Sequence, residues 1–298
     1  MNKTELKLEY QIARDKNDGL AVIIVAAGAS SRMKGINKQF LELGSVPVIA
    51  KTLLVFENCD TIKNIILVTR DEDIFALQLI AEKYSISKLS DIVCGGKTRQ
   101  ESVLKGLSRL TEADKKVLVH DGARPFVTEQ IIELVAKELE NFPAVTCAVK
   151  VKDTVKLTDE NGVVIKTLER DSLRAVQTPQ GMWVKEYNEA IEKLGDISAF
   201  TDDTSIMEAA GYEVKCVMGS YRNIKITTPE ESELLKVLCR FRERTEAALA
   251  DHEPFYITRY IIDLASAFSR FYHGCSSLTD EDKTVVSTRV ALTAATKS

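Results

Sequence analysis

The sequence predicts an α/β protein: a doubly wound, mostly parallel sheet with a projecting β-arm and an α-helical C-terminal extension. Three observations carry this. Apolar, β-branched runs of strand length recur at 21–25, 62–69, 91–94, 116–120 and 144–149. Segments with helical spacing separate them, at 46–58, 73–84, 99–110 and 128–140, each long enough for a crossover. Segments rich in small and charged residues then follow the strands at their carboxyl ends, where open α/β sheets bind ligands.

The first of these segments organises the chain. Ala21–Val25 breaks into Ala26-Ala27-Gly28-Ala29-Ser30-Ser31, six residues with almost no side chain. Small residues after a strand let backbone N–H groups approach a phosphate closely. Arg32 and Lys38 add two positive charges, and Gly35 a second flexible joint. A structural strand-to-helix turn also uses small residues, but it does not require two cations in one short segment. Neither G-x-x-x-x-G-K-[ST] nor a spaced G-x-G-x-x-G is present. The plain reading is a phosphate-binding loop armed with cations.

The second segment is Gly95-Gly96-Lys97-Thr98-Arg99-Gln100-Glu101-Ser102. A double glycine allows an unusual turn or a close approach to a planar group, and a simple turn with an N-cap accounts for it equally well. Arg99 and Ser102 lie one helical turn apart, expected to point back at the loop. In the third, His120-Asp121-Gly122-Ala123-Arg124-Pro125, Asp121 is placed to hold a divalent cation, because carboxylate oxygens suit Mg²⁺. His120 reads as a packed strand-end histidine.

From Val151 to Gln177 the pattern changes to a ribbon: a strand at 153–157, a turn at Asp159-Glu160-Asn161-Gly162, and a return at 163–168. A ribbon with so little core should project and pack, most economically, on a second copy of itself. Gln177-Thr178-Pro179-Gln180 re-enters the body and 183–194 reads as a helix. Phe200-Thr201-Asp202-Asp203-Thr204 has N-cap chemistry before another helix, which Gly211 ends. A strand at 213–217 and a last short one at 222–227 come next, with Lys225 projecting opposite Ile224 and Ile226. Thr228-Pro229-Glu230-Glu231 starts a helix with a cap, Pro at N1 and acids in the first turn.

Composition bounds the function. The chain has 298 residues, 45% hydrophobic and 28% charged, with a formal net charge of −4. That balance argues against non-specific nucleic-acid binding, which needs a basic surface, while leaving room for a local anion site. No run reaches the length of a membrane span. Residues 1–19 form a charged leader without the apolar core of a signal peptide. Six single cysteines and three histidines give no zinc spacing, so buried reduced thiols in a cytoplasmic protein are expected.

VAAGASSRM, NKQF, GGKTRQESV, HDGARPF, DTVK, LRAVQTPQ, FTDD and NIKIT occur in this order. Through them, residues 20–238 resemble the 2-C-methyl-D-erythritol 4-phosphate cytidylyltransferases. The related ribitol-5-phosphate cytidylyltransferases share most of these motifs, but Ala26-Ala27-Gly28 and Asp153–Lys156 favour the first family. The resemblance implies a Rossmann-like nucleotidyltransferase fold, CTP as a substrate with Mg²⁺, and a polyol phosphate attacking the α-phosphorus in line. It implies that Arg32 and Lys38 stabilise the transition state and that the amides of Ala26, Ala27 and Gly28 hold phosphates. Gly95, Gly96, Arg99 and Ser102 would serve the nucleotide, and Asp121 Mg²⁺ or the polyol. Arg124, Thr201 and Lys225 would bind the acceptor, while Thr154 and Arg170, on the arm at 150–176, would reach a partner's site in a homodimer.

Residues 239–298 do not belong to that family. The stretch from Arg259 to His273 has helical periodicity, and the segment resembles part of the helical anticodon-binding domain of arginyl-tRNA synthetases. From Arg240 to Ser298 there are eight basic and eight acidic residues. That balance favours a helical appendage covering apolar surface over an RNA-binding or synthetase-associated module.

Overall fold

The computed structural model describes residues 19–28, 37–274 and 283–297. The apolar runs form the strands β1 (Gly19–Val25), β2 (Ile62–Thr69), β3 (Leu89–Cys94), β4 (Asp114–Asp121) and β5 (Ala144–Lys150). Between them lie α1 (Val48–Asn58), α2 (Ile74–Lys83), α3 (Arg99–Leu107) and α4 (Glu129–Glu138). After them come β6 (Lys156–Thr158), β7 (Val164–Thr167), β8 (Arg174–Trp183), α5 (Val184–Leu194), α6 (Asp203–Ala209) and β9 (Val214–Met218). The seven-stranded sheet has the order β3-β2-β1-β4-β8-β5-β9 and is parallel except for β8, which is antiparallel to both neighbours.

Alternation along the central strand assigns the two faces. Val22 and Ile24 of β1 pack with Ile49, Leu53 and Phe56 of α1 and Ile132 and Val135 of α4. Ile23 points the other way, to Val103 of α3, Tyr187 of α5 and Ile206 of α6. A strand buried on both faces has no room for polar residues, hence the unbroken apolar run. The approach of α3 is set by Gly106, where a Cβ would lie 2.5 Å from Ile23 Cγ2. Gly106→Ala would gain up to ~1 kcal/mol of helix preference but incur an overpacking cost of ~1–3 kcal/mol. Because the β-branched Ile23 in the central strand cannot yield, a lower thermal midpoint is expected. A raised midpoint in a melt of the variant would contradict this packing.

Two elements differ from expectation. Residues 174–183, to which the sequence assigned no element beyond a return to the body, form a full strand inside the sheet. Their polar members are buried with partners: Gln180 donates to Thr146 Oγ1 (3.2 Å) and Asp202 Oδ2 (2.7 Å), and Gln177 to the Ser220 carbonyl (2.9 Å). Conversely, 222–227 is no strand. Its backbone is tied down singly, by Ile226 N–H to the Ala123 carbonyl (2.9 Å) and by Arg124 Nη1 to the Asn223 carbonyl (2.8 Å).

The ribbon β6–β7 is a separate two-stranded sheet whose residues are all exposed. The C-terminal part is helical: α7 (Pro229–Cys239), α8 (Phe241–Ala250), α9 (Phe255–Gly274) and α10 (Lys283–Lys297). These helices cover apolar surface. Ala267 and Phe271 of α9 and Leu292 of α10 are buried with Leu43, Val48, Ile224, Ile226 and Leu234. No described helix is long and apolar enough to cross a membrane. The described cysteines are free thiols; Cys59 and Cys147 are buried, but Cys94 and Cys216, on the outermost strands β3 and β9, are exposed.

Candidate active site

Three glycine-bearing segments meet at the carboxyl ends of β1, β3 and β4. Ala26 N–H bonds to the Val68 carbonyl, Gly95 N–H to the Thr69 carbonyl and Gly122 N–H to the Val25 carbonyl. The glycines are there for proximity. A Cβ on Gly95 would lie 2.4 Å from that of Ala27, and one on Gly122 3.2 Å from that of Ala26. Ala26 is buried, Ala27 half-buried and Gly28 exposed, so the loop runs outward from the sheet. Lys38 follows on a 3₁₀ turn, Lys38–Phe40, pinned by Asn37, which accepts from Gln39 N–H and donates to Asp73 Oδ2 (2.9 Å). The expectation for Arg32 lies outside the described residues.

At the second segment Thr98 caps α3 by accepting from Glu101 N–H, and Ser102 Oγ accepts from Gly96 N–H at 3.0 Å. Ser102 thus points back at the double glycine as expected. Arg99 does not. Its guanidinium crosses to Asp203 Oδ2 (2.6 Å) and lies 3.8 Å from Asp121 Oδ1. Burial alone would lower the Arg99 pKa, but the two carboxylates outweigh it and hold it above its ordinary value. Buried Nη1 has no hydrogen-bond partner among the described residues.

Asp121 is the centre. Besides Arg99, its Oδ2 faces Arg124 Nε at 3.3 Å and Lys225 Nζ at 3.0 Å. Desolvation would raise the carboxyl pKa, yet Lys225, Arg124 and Arg99 together hold it well below the ordinary 3.8. Arg99 is shared with Asp203, so these three cations face two carboxylates and one positive charge remains in excess among them. Arg124 is 3% exposed, whereas Lys225 is 30% exposed and open to a ligand. This donor set does not fit an Mg²⁺ held by the protein. Both oxygens of Asp121 already face cations, and no group of three His, Cys, Asp or Glu side chains suited to a metal exists among the described residues.

The polar layer behind Asp121 fixes its geometry. Asp121 N–H donates to Thr178 Oγ1 (3.0 Å), and the Arg124 carbonyl facing His120 Nε2 can only accept, so in the neutral imidazole Nδ1 is bare and accepts from the Thr178 hydroxyl (3.1 Å). That leaves the proton of a neutral imidazole on Nε2, facing the Arg124 carbonyl at 3.3 Å. Burial, helped by the Arg124 charge, pushes the His120 pKa down to about 3. His120 is therefore a neutral packing residue, as expected. Thr178, Gln180 and Asn223, which the sequence did not mark as site residues, tie this layer together: Asn223 donates to the Thr178 carbonyl (2.8 Å), and Gln180 accepts from Asp203 N–H (2.9 Å). Thr201 is exposed beside Phe200, whose carbonyl accepts from Gln100, and Asp202 caps α6 through Ser205 N–H. Thr154 and Arg170 lie apart from this crevice, exposed on the arm.

A cationic cluster thus stands at the strand ends beside a small-residue loop, an arrangement suited to phosphate groups. The comparisons with known proteins give the class, a nucleotidyltransferase. The family profile of 2-C-methyl-D-erythritol 4-phosphate cytidylyltransferase matches residues 20–239, and that of the DALR anticodon binding domain residues 204–298. The chain belongs to the 2-C-methyl-D-erythritol 4-phosphate cytidylyltransferase family. It is 44% identical over 226 residues to the enzyme of that name from Halalkalibacterium halodurans, covering 75% of this chain and 98% of the relative. With the Bacillus anthracis enzyme the identity is 46% over 213 residues, 70% of this chain and 93% of the relative. The crystal structure of 4-diphosphocytidyl-2C-methyl-D-erythritol synthase from Anaerococcus prevotii superposes with a TM-score of 0.68 at 35% identity, covering 74% of this chain and 95% of that one.

Proposed function

We propose that the protein transfers CMP from CTP to 2-C-methyl-D-erythritol 4-phosphate, giving 4-diphosphocytidyl-2-C-methyl-D-erythritol and pyrophosphate in non-mevalonate isoprenoid biosynthesis. An oxygen of the acceptor phosphate bonds to the α-phosphorus of CTP as the bond from that phosphorus to the β-phosphate bridging oxygen breaks. The observation that carries this reading is the convergence of Arg99, Arg124 and Lys225 on Asp121, an excess of positive charge suited to two phosphorylated substrates. Such transfers depend on positioning and on charge neutralisation.

Arg32 and Lys38 stabilise the pentacoordinate centre and the leaving pyrophosphate, with the amides of Ala26 to Gly28 holding phosphates. Gly95, Gly96 and Ser102 receive cytosine and ribose, and Arg99, clamped between Asp203 and Asp121, holds their segment in place behind the nucleotide. Lys225, Arg124 and Thr201 hold the acceptor phosphate and polyol, ordered by Asp121. Mg²⁺ enters as part of the nucleotide substrate, held chiefly by triphosphate oxygens. The exposed apolar side chains of Leu157, Val163, Val164 and Ile165 support a homodimer formed through the arm, with Thr154 and Arg170 serving the partner's site. The equal count of acids and bases after residue 239 argues against a nucleic-acid partner. A cytoplasmic location agrees with a metabolite substrate.

Pyrophosphate release from Mg·CTP by the full-length protein tests this. Release is expected only with methylerythritol phosphate present, and is expected to stop with EDTA. Preferred turnover of ribitol 5-phosphate at matched concentration would overturn the acceptor, and silence with both would overturn the reaction.

A further inference from the structure

The segment carrying Lys225 is held from two sides. On one side the catalytic loop binds it, through Ala123 to Ile226 N–H and Arg124 to the Asn223 carbonyl. The other side is formed by helices beyond residue 239. Ile224 and Ile226, which flank Lys225, are buried in one apolar cluster with Ala267, Phe271 and Leu292. The polar link is more specific. Glu231 is wholly buried, and its Oε2 accepts from Thr227 N–H (3.0 Å), Thr227 Oγ1 (2.6 Å) and Thr228 N–H (3.0 Å), locking the two residues that end the Lys225 segment. Its other oxygen, Oε1, faces Arg289 Nε of α10 at 3.3 Å, and both side chains are almost without exposure.

A carboxylate without access to water needs a cation to remain charged and to hold three donors at once. We infer that Arg289 is a positioning residue for the transfer reaction: through Glu231 it fixes Thr227 and Thr228, and so the place of Lys225 against Asp121. The C-terminal helices are then part of the acceptor site's scaffold rather than a separate module. Cytosine and ribose are served by the segment at 95–102, on the far side of Asp121, so the effect should divide between substrates. This inference rests on the reading of Lys225 as an acceptor ligand.

The test is steady-state kinetics on full-length Arg289→Met, Arg289→Lys and Lys225→Ala. Arg259→Met serves as a control, since Arg259 pairs with Asp263 on the exposed surface of α9. In Arg289→Met the KM for methylerythritol phosphate is expected to rise, and kcat to fall, by about tenfold each, with the KM for CTP within about twofold of the starting protein. Arg289→Lys should recover most of both, and Arg259→Met should change neither. Amide exchange at 226–228 should accelerate in Arg289→Met and not in the control. Wild-type kinetics in a folded Arg289→Met protein would overturn the inference, as would equal increases in both KM values. If Arg289→Met does not fold, Arg289→Lys must still show the same division at smaller size. An unaffected Lys225→Ala would instead overturn the underlying reading of the site.

Discussion

Asn in place of Asp121 is expected to lower kcat by about two to three orders of magnitude, and folding stability by about 3–5 kcal/mol at neutral pH. Both effects have one origin. Asp121 is almost fully buried and counters Arg99, Arg124 and Lys225 at 3.0–3.8 Å. An amide has the same shape but no charge. Arg124, at 3% exposure, would be left without its counterion, and most of the stability loss should come from there, since exposed Lys225 is partly screened by water. Ground-state binding of phosphates should not suffer, because the crevice becomes more positive. The loss should therefore appear in kcat, with KM for CTP unchanged or lower. The pH dependence has a definite sign. The folded-state pKa of Asp121 lies well below 3.8, so its contribution is complete above the unfolded value and is lost as the pH falls through the folded one. Urea midpoints of the two proteins should differ most near neutrality and converge below about pH 3.8. A constant difference at every pH, or equal turnover, would show that the carboxylate does not organise the three cations.

The residues around Asp121 differ in how far the sequence discloses them, and the reason is physical. Strands β1, β2, β4 and β5 are legible because burial on both faces demands apolar, β-branched runs, and edge strand β3 by a short apolar run; the loops are legible because small and charged residues interrupt those runs at the ligand-binding edge. Strand β8 is not. Gln177, Thr178 and Gln180 carry no strand pattern, and Pro179 and Gly181 argue locally against an internal strand. Their partners, Thr146, Asp202, Ser220 and Asn223, are distant in sequence, and only folding brings them together. The converse holds at 222–227, where alternation of Ile224, Lys225 and Ile226 resembles a strand although no ladder forms. Alternation places Lys225 opposite the isoleucines; it does not show that single bonds from Ala123 and Arg124, in the loop after β4, replace a neighbouring strand. The sequence discloses Arg99 but not its direction, because helical spacing fixes where a side chain starts and not which carboxylate it reaches. Glu231 read as a first-turn acid, and that was correct, since it completes a capping box with Thr228. Its second partner, Arg289, lies 58 residues away, beyond any local pattern.

Co-expressed Lys225→Ala and Arg170→Ala chains are expected to regain activity that neither has alone. Each parent should lose about two orders of magnitude or more, since each lacks a cation proposed to meet the acceptor. In a dimer whose arm completes the neighbour's site, the mixed species carries both lesions in one site and none in the other. Random assembly of equal amounts makes about half of the dimers mixed, so about a quarter of the starting activity should return. The arm itself argues for this arrangement. Among the described residues Arg170 Nη1 donates to the Lys152 carbonyl at 3.3 Å, at the base of its own ribbon, and the ribbon exposes Val163 at 62% and Ile165 at 63%. Two short strands cannot hold such side chains in water without a second surface. Activity equal to the average of the two parents would place Arg170 and Lys225 in the service of one chain, or leave the arm without a role in the reaction. Recovery to about a quarter requires that they act across the subunit boundary, because no rearrangement within a single chain restores both cations to one site.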